Sequence, residues 1–581
     1  MYVAVVPNRN SPPAILLRES FRENGKVHNR TIANLSHWDP AKVDALRAVL
    51  KGATVLDTPL PQAFDIIRSR PHGHVAAVLG TLRKLHLDRL FDKHDDRNRD
   101  LVLAMIAARV LDPSSKLATA RALHPDTLSS TLGELLHLDS VTEDELYQAM
   151  DWLLPQQARI ENALAQRHLA EGALVLYDLT STFFEGHHCP LGKLGHSRDD
   201  KKGKLQIVFG LMTDAEGCPI AVDVYAGNTS DPKTISDQVT KLRQRFGLQR
   251  VILVGDRGMI TSARLRENLK PAPGIEWITA LRAPSIKKLA SDGVLQLSLF
   301  DSRDLAEITH PDFPGERLVA CYNPLLAEER ARKRPELLAA TEKELEKIAV
   351  ATRRKKRPLR GKQNIGVRAG KVLNRYKMGK HFQIQIEDDS FTYQRKQANI
   401  EKEKSLDGIY IIRTNVPAEV LSSEQAVRNY KSLAGVERAF RSLKTVDLHV
   451  RPIHHREPDR VRAHIFLCML AYYVEWHMRK NLAPLLFDDE DKAAAEKLRP
   501  SVVAPAQRST SAQSKAHSKR TQDDLPVHSF QTLLADLSTI VSNRVQPKDA
   551  STAAFDIITV PTALQQRALD LLQVTIKHPA A

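Results

Sequence analysis

The sequence predicts a multidomain α/β protein built around a sheet of mixed strand direction. Three observations carry this prediction. A chain of 581 residues is too long for one hydrophobic core, because domains average about 150 residues. Between residues 170 and 290, apolar runs of strand length alternate with helical patterns. Residues 71–169, in contrast, follow the three-to-four spacing of helices.

The first two regions precede the sheet. Residues 1–60 are expected to contain a β-hairpin, because the extended runs AILLRESF and KVHNRTIANL flank Asn24 and Gly25. Residues 61–169 are predicted to form a helical bundle, with Pro113 and Pro125 as stops. A β-hairpin and a helical bundle therefore come before the sheet.

Residues 170–290 supply the first part of the sheet. The strand ALVLYD is followed by KLQIVFGLMTD and CPIAVDVYAG, which are separated by a turn at Asp214–Gly217. A helix entered at Asp231 and Pro232 comes next, then the strand RVILVGD, a helix that Thr261 or Ser262 can cap, and the strand IEWITAL. Three strands, helix, strand, helix, strand is an order that fits a mixed sheet.

The pattern breaks at residues 291–407, where extended stretches and a charged helix predict an inserted β-rich and helical subdomain. Residues 408–485 then complete the core, with the strand GIYIIRT and a helical unit that resumes at Ser422. Residues 486–526 are poor in large apolar side chains and are expected to form a flexible linker. Residues 527–581 are expected to form a helical tail.

The charge balance favours a polyanionic partner. The net charge is +16 and the pI is near 9.5, which favours nucleic acid. The four cysteines lie far apart without CxxC spacing, so we expect neither a disulfide framework nor a zinc knuckle. A reducing cytoplasm fits this pattern.

No membrane span or secretory signal is expected. The opening MYVAVV lacks a basic segment and is followed by Pro7 and Asn8. The longest helical apolar stretch, Ile465–Val474, is about half of the ~20 residues that a span requires.

Two aspartates follow apolar runs of the predicted sheet. Asp178 comes directly after residues 173–177, and Asp256 follows the run in VILVGDRG. Strand ends are common ligand sites in α/β folds, so both carboxylates are expected at one edge. Such a pair normally shares a proton or binds metal, and oxygen ligands without His or Cys suit magnesium or manganese. Two ions about 3.5–4 Å apart can then support phosphoryl transfer.

A third acid is expected in NYKSLAGVERAFRSLKT, residues 429–445. A continuous helix over this stretch aligns residues at spacings of three and four on one face. These residues are Tyr430, Leu433, Glu437, Arg441 and Lys444. Val436, Phe440 and Leu443 form the opposite, buried stripe, so Glu437 is expected to face outward beside Arg438, Arg441 and Lys444. The alternative is an ordinary Glu437–Arg441 ion pair, worth about 0.3–0.5 kcal/mol.

Five stretches resemble the DDE transposases of bacterial insertion sequences. They are DLTSTFFEG from Asp178, GHSRDDKKGKLQIVFGL from Gly195, AGNTSDPKT from Ala226, GDRGM from Gly255 and YKSLAGVERAFRSLK from Tyr430. The chain is similar to the branch with a ribonuclease H-like core, a β-rich insertion before the last acid and a Tyr-Arg-Glu-Lys signature. The resemblance extends from the N-terminal hairpin to about Lys480. Leu433 stands where the signature has Arg, and Arg438 or Arg441 could replace that contact.

The resemblance implies a function and its residues. Asp178, Asp256 and Glu437 become the catalytic ligands of two Mg²⁺ or Mn²⁺ ions. The implied DNA contacts are Tyr430, Arg438, Arg441, Lys444, Arg451 and Arg456. The implied protein binds the inverted repeats of its element through residues 61–169, works as a homodimer on double-stranded DNA, and cleaves and joins DNA. Its implied location is the bacterial cytoplasm, at the nucleoid. A nuclease or resolvase that cuts without joining, and a DNA-binding relic without activity, are the alternatives.

Overall fold

The computed structural model describes residues 1–9, 11–53, 63–91, 94, 96–201, 203–295, 300–548 and 553–576. These residues form two compact units. The first consists of residues 1–70 and 541–559, and the second of residues 71–540 and 560–581.

The strands of the described residues are β1 (Tyr2–Val6), β2 (Ala14–Glu23), β3 (Lys26–Asn34), β4 (Phe64–Pro71), β5 (Ala173–Phe183), β6 (Gln206–Thr213), β7 (Pro219–Ala226), β8 (Val251–Val254), β9 (Ile275–Ala280), β10 (Leu305–Ile308), β11 (Arg317–Tyr322), β12 (Phe382–Ile386), β13 (Phe391–Arg395), β14 (Ile409–Thr414), β15 (Val541–Pro547) and β16 (Phe555–Ile558).

The α-helices of the described residues are α1 (Pro40–Leu50), α2 (Gly73–Lys84), α3 (Leu87–Phe91), α4 (Arg97–Leu111), α5 (Lys116–Leu123), α6 (Leu132–Leu135), α7 (Glu143–Leu153), α8 (Gln157–His168), α9 (Ile235–Thr240), α10 (Ser262–Arg264), α11 (Ala283–Ser291), α12 (Pro324–Thr352), α13 (Lys362–Tyr376), α14 (Gln397–Lys404), α15 (Ser423–Lys431), α16 (Ala434–Arg441), α17 (Pro458–Leu482), α18 (Lys492–Lys497), α19 (Thr510–Ser518), α20 (Phe530–Ser538) and α21 (Ala563–Leu572).

The first unit contains two three-stranded sheets and helix α1. The predicted hairpin is present between β2 and β3, where Glu23 pairs with Lys26. Asn24 and Gly25 both have positive φ, as a type I′ turn requires. The second sheet has the order β16-β15-β4, so the predicted all-helical tail is wrong for residues 541–559. Strand β15, VSNRVQP, has only two valines and gives no apolar run that could signal it.

The second unit is centred on an eight-stranded sheet with the order β10-β11-β14-β9-β8-β5-β6-β7. Strands β5, β6 and β7 form an antiparallel meander, whereas β8 pairs in parallel with both β5 and β9. Helix α9 lies between β7 and β8, and α10 lies between β8 and β9. The predicted order of three strands, helix, strand, helix, strand is confirmed, and Thr261 caps α10 by accepting the N–H of Arg264.

The predicted start of the insertion, residue 291, is too early. Strands β10 and β11 belong to the main sheet, because β11 pairs with β14 along its whole length. The segment outside the sheet runs from α12 to α14 and has a core of its own, formed by α12, α13, α14 and the β12–β13 hairpin. It is mainly helical, with two strands, so the β-rich description is also wrong. The sequence shows that β10 and β11 are extended but not which sheet they join.

Residues 486–526 are not the flexible linker that their composition predicts. They contain α18 and α19, and Val502 and Val503 are buried. The buried Lys515 donates from Nζ to the carbonyl oxygen of Ala483 at 2.8 Å. Lys431 donates to the carbonyl oxygens of both valines at 2.5 and 3.0 Å. Two valines and a few lysine–carbonyl hydrogen bonds therefore anchor a segment with little apolar surface of its own.

Helices α2 to α8 confirm the helical periodicity of residues 71–169, but Phe64–Pro71 form strand β4, so the prediction of a helical bundle over residues 61–169 is wrong at its start. Helices α2, α4 and α7 pack against the long helix α17, whose stretch Ile465–Val474 is buried throughout. Helices in the part of the chain that the structure describes are all too short or too polar to cross a membrane.

Candidate active site

The register of two parallel strands places the two aspartates at the same edge of the sheet. Leu176 of β5 pairs with Val254, the last residue of β8, and Asp178 and Asp256 each lie two residues further along. Strand β5 does not end at Asp178, as the sequence suggests, but continues beside β6 to Phe183. Asp178 therefore lies within β5, immediately beyond the point where its parallel partner ends.

Asp178 is held in an environment that disfavours its charge. Its Oδ1 accepts the N–H of Leu179 at 2.8 Å. Burial raises the pKa of Asp178 to about 7, the Leu179 hydrogen bond opposes this rise, and the negative charges of Asp256 and Glu437 add to it. Asp256 and Glu437 therefore lie close enough to Asp178 for their charges to act on it.

Asp256 is fixed by the loop that follows β8. Its Oδ1 accepts the backbone N–H groups of Gly258 at 2.5 Å and Met259 at 2.8 Å. Arg282, beyond β9, donates to the carbonyl oxygens of Arg257 and Gly258 and so braces the loop. Within the described residues, no hydrogen bond occupies the Oδ2 atoms of Asp178 and Asp256.

Glu437 lies in the first turn of α16, which packs across β5 and β6. The rings of Phe440 and Phe209 meet edge to face at 5.6 Å, and Val436 is fully buried. Glu437 itself is exposed. Among the described residues it forms no ion pair, so the alternative pairing with Arg441 is absent. Packing of Val436 and Phe440 therefore fixes the orientation of α16 and the side from which the unpaired Glu437 carboxylate projects.

Tyr430, at the end of α15, lies among the three acids. Burial raises the pKa of its phenol to about 12, and the charges of Asp256, Glu437 and Asp178 contribute to the rise. The Tyr430 hydroxyl therefore stays protonated near neutral pH and can donate a hydrogen bond. The charges of Asp256 and Glu437 act on both Tyr430 and Asp178, which indicates that the four groups lie near one another.

The donor set fits hard divalent cations. All candidate ligand atoms are carboxylate oxygens, which Mg²⁺ and Mn²⁺ prefer. The three carboxylates of the described structure do not all lie within 4.8 Å of one another. A two-ion site does not require this, because ions about 4 Å apart with oxygens at about 2.1 Å allow outer ligands to lie roughly 8 Å apart. The repulsion at Asp178 is what a bound cation would relieve.

Comparison with known families decides the class of protein. The model described as transposase DDE domain matches residues 176–474, more than half of the 581-residue chain and all three acids. The chain is a DDE transposase of the insertion-sequence type. The model for the N-terminal domain of IS1634 family transposases also matches, at residues 3–58.

Other comparisons add less. No curated protein sequence matches the chain. Among solved structures, the cryo-EM structure of a piggyBac transposase synaptic complex with hairpin DNA is similar at 11% identity and a TM-score of 0.34. That match covers 70% of this chain and 72% of the other.

The signature residues of the transposase do not lie on one continuous helix. Helix α15 ends at Lys431, and α16 begins at Ala434 with Leu433 as its N-cap residue. The prediction of an unbroken helix is therefore wrong, although Glu437 and Tyr430 still reach the same site. Residues Ser442–Val446 then form a π-helical turn, whose wider spacing changes the side on which Lys444 emerges.

Lys444 does not face outward as predicted. Its Nζ is buried and donates to Thr180 Oγ1 and Asp199 Oδ1, both at 2.8 Å. Arg451 pairs with the other oxygen of Asp199 at 2.7 Å and lies over the Phe183 ring. Both cations therefore tie residues 195–201 to β5 through Asp199, which no local sequence pattern singles out. Its stretch, GHSRDD, was part of the resemblance and is the only sequence signal for it.

The other predicted DNA contacts are exposed. Arg438 and Arg441 lie on α16 beside Glu437, and Arg456 precedes α17. None of these three arginines forms an ion pair with another described residue. Arg198 is a further cation near the acids, where it lowers the pKa of Asp178, and it is anchored to Asp231 at 2.6 Å.

Proposed function

We propose that this transposase binds the ends of its insertion sequence and catalyses metal-dependent DNA cleavage and strand transfer. The observation that carries the proposal is the β5–β8 register, which places Asp178 and Asp256 at one edge of the sheet, with α16 and its Glu437 packed across β5. These acids come from three stretches far apart in the sequence, and none of them forms an ion pair with a described residue. Asp178 is withdrawn from solvent, and a carboxylate charge there is costly without a cation, so the arrangement is suited to ligand binding.

The proposed ligands for two Mg²⁺ or Mn²⁺ ions are the carboxylates of Asp178, Asp256 and Glu437. When bound, such a pair activates an attacking oxygen and stabilises a leaving oxygen in phosphoryl transfer. The chain supplies the positioning. The Gly258 and Met259 amides hold Asp256, the Leu179 amide holds Asp178, and the apolar face of α16 holds Glu437.

The fold supports this assignment. We propose that β7-β6-β5-β8-β9 is a ribonuclease H-like core, because the meander of three antiparallel strands is followed by two parallel crossovers. In this arrangement the first acid lies on the central strand β5 and the second at the end of the adjacent strand β8. The added strands β14, β11 and β10 extend the sheet beyond the core.

The phosphate contacts are proposed from exposure and charge. Arg438, Arg441 and Arg456 are exposed cations that can pair with DNA phosphates. The protonated Tyr430 hydroxyl can donate to a phosphate oxygen. Its raised pKa makes it a poor nucleophile, which disfavours a covalent tyrosine–DNA intermediate. We propose Lys444 and Arg451 as residues that shape the site through Asp199, rather than as the first DNA contacts.

The proposed reaction has two steps on double-stranded DNA. Water attacks the phosphodiester at the transposon end and frees a 3′ hydroxyl, and this hydroxyl then attacks a phosphodiester of the target. The same carboxylates serve both steps. A homodimer across the two inverted repeats, with residues 61–169 reading them, is the proposed assembly.

The deciding experiment incubates the full chain with DNA carrying the element's ends and a target plasmid, with and without Mg²⁺. The proposal predicts cleavage at the ends and joined products, both dependent on the cation. Nicks or breaks without joined products would identify a nuclease or resolvase instead. Sequence-specific binding with neither product would identify a binding protein without activity.

A further inference from the structure

A second cluster of ligand-type side chains lies apart from the acids. His168 ends α8, Cys218 immediately precedes β7, and His477 lies near the end of α17. The Sγ atom of Cys218 is 3.9 Å from Nε2 of each histidine. One nitrogen of each imidazole and this sulfur all lie within 4.8 Å of one another.

We propose that His168, Cys218 and His477 bind a zinc-class divalent ion. A tetrahedral Zn²⁺ ion, with bonds of about 2.3 Å to sulfur and about 2.0 Å to nitrogen, separates these ligands by about 3.6 Å. The observed 3.9 Å is within a few tenths of an ångström of that spacing. Sulfur and imidazole donors favour Zn²⁺ or Co²⁺ over Mg²⁺, so this site and the carboxylate site select different ions.

The residues around the cluster resemble the outer shell of a metal site. Nδ1 of His168 lies 3.9 Å from Oδ2 of Asp214, and metal-bound histidines commonly direct their second nitrogen to a carboxylate. Oδ1 of the same aspartate accepts the N–H groups of Glu216 and Cys218, both at 2.9 Å. Asp214 therefore lies beside one ligand and shapes the turn that presents another.

Each histidine would bind as the neutral imidazole, through one ring nitrogen. Binding exchanges the S–H bond of the Cys218 thiol for a sulfur–metal bond and releases one proton to solvent.

One hydrogen bond must change when the ion binds. The Tyr473 hydroxyl is 2.9 Å from Nε2 of His168, the nitrogen that faces the cluster. The coordinate bond replaces this contact, and the fourth position is then open to water or to the Tyr473 oxygen.

The bound ion would join three elements near the catalytic helix. It would connect the end of α8, the β6–β7 turn and α17. Gly217 of that turn lies against Gly435, because a Cβ added at Gly217 would be 3.6 Å from the Gly435 backbone. Gly435 belongs to the first turn of α16, which carries Glu437. We therefore assign the ion a structural role beside the active site.

The test is a Co²⁺ titration of the purified full chain without a polyhistidine tag and in excess Mg²⁺. The proposal predicts near-ultraviolet absorption from a cobalt–thiolate bond that saturates at about one equivalent per chain. Cys218→Ser should abolish this absorption, and His477→Gln should weaken binding at least tenfold. Glu437→Gln, at the carboxylate site, should leave it unchanged.

Cys468→Ser is the matched control, because Cys468 is also buried and lies 3.9 Å from a single histidine, His464. It should retain the full absorption. No thiolate absorption in the folded wild-type chain, or full absorption in His477→Gln, would overturn the proposal. His477 is only half-buried, so this variant decides the question even if Cys218→Ser fails to fold.

Discussion

Two charged clusters adjoin strand β5, and they differ in how their charges are compensated. Asp178, Asp256 and Glu437 form no ion pair with a described residue, and Arg198, which lowers the pKa of Asp178, is itself paired with Asp231. Asp199 forms two ion pairs, because Lys444 and Arg451 each bind one of its oxygens. Both clusters contain buried aspartate, so burial alone does not distinguish them.

The difference shows which acids hold the fold together and which are available to a ligand. A buried charge that is paired contributes to structure, and removing its partner leaves an uncompensated charge. A buried carboxylate without a cation destabilises the folded chain and gains from any cation that binds. The four predictions that follow test this distinction, from the largest expected effect to the smallest.

The largest effect is expected from loss of a carboxylate in the uncompensated cluster. Asp178→Asn, Asp256→Asn and Glu437→Gln should each lower the cleavage rate on the order of 10³-fold or more, because each removes a proposed oxygen ligand of the cations. DNA-end binding should remain within a few-fold, as measured by electrophoretic mobility shift. Glu424→Gln on helix α15, whose carboxylate pairs with Arg303, is the matched control and should cleave normally. A rate near wild type in any of the three variants would remove that residue from the ligand set.

In the cluster of Asp199, Lys444 and Arg451, loss of the aspartate charge should lower the stability of the fold. Asp199→Asn leaves Lys444 and Arg451 without their shared partner and should cost on the order of 3 kcal/mol in the free energy of unfolding. Urea denaturation measures this cost. The adjacent Asp200 is exposed and has a positive φ that Asn tolerates, so Asp200→Asn should change stability by less than about 0.5 kcal/mol. Equal effects of the two substitutions would contradict the structural role of Asp199.

Asp178→Asn should stabilise the metal-free protein, whereas Asp199→Asn should destabilise it. The folded-state pKa of Asp178 is about 7, above its ordinary value of 3.8, so its ionisation disfavours the folded state as pH rises between those values. Asp178→Asn should therefore raise the free energy of unfolding by up to a few kcal/mol at pH 8, since one pKa unit corresponds to about 1.4 kcal/mol. The gain should vanish below about pH 4.

Thermal melts with EDTA at pH 8 and pH 5 measure this gain. Added Mg²⁺ should stabilise the wild type and have a smaller effect on Asp178→Asn. A variant that is less stable than wild type at pH 8 would show that Asp178 is compensated after all.

The smallest effect concerns the free arginines. Arg438→Ala and Arg441→Ala should each weaken DNA binding several-fold and reduce the slope of log affinity against log salt concentration by about 1, because each removes one proposed phosphate contact. Arg303→Ala is the control, since Arg303 is already paired with Asp301 and Glu424. Lys444→Met should leave the slope unchanged while lowering stability. A reduced salt dependence of DNA binding in Lys444→Met would show that Lys444 contacts a DNA phosphate.

The sequence predicts strands β5 to β9 because each strand is marked by a pattern of neighbouring residues. The runs that form β5 to β9 are apolar, and turn and cap residues such as Asp214 and Thr261 separate them. The placement of Asp178 and Asp256 followed from those runs. The continuation of β5 past Asp178 did not, because LTSTF contains three polar residues that are nevertheless buried beside β6.

The remaining differences depend on contacts that periodicity does not encode. The break at Ser432–Leu433 and the π-helical turn at Ser442–Val446 change the direction of Lys444, whose partner Asp199 is more than 240 residues earlier. The cluster of His168, Cys218 and His477 has no sequence spacing that could signal it, since its members lie 50 and 259 residues apart. Pairing between distant residues was the information that the sequence patterns lacked.

The most direct measurement is anomalous diffraction from crystals of the full chain bound to end DNA and Mn²⁺. The three-carboxylate site predicts manganese peaks within about 2.5 Å of oxygens from Asp178, Asp256 and Glu437. Crystals of Glu437→Gln should lose at least one of these peaks. Manganese peaks bound elsewhere, with these three carboxylates free of metal, would contradict the assignment of the active site.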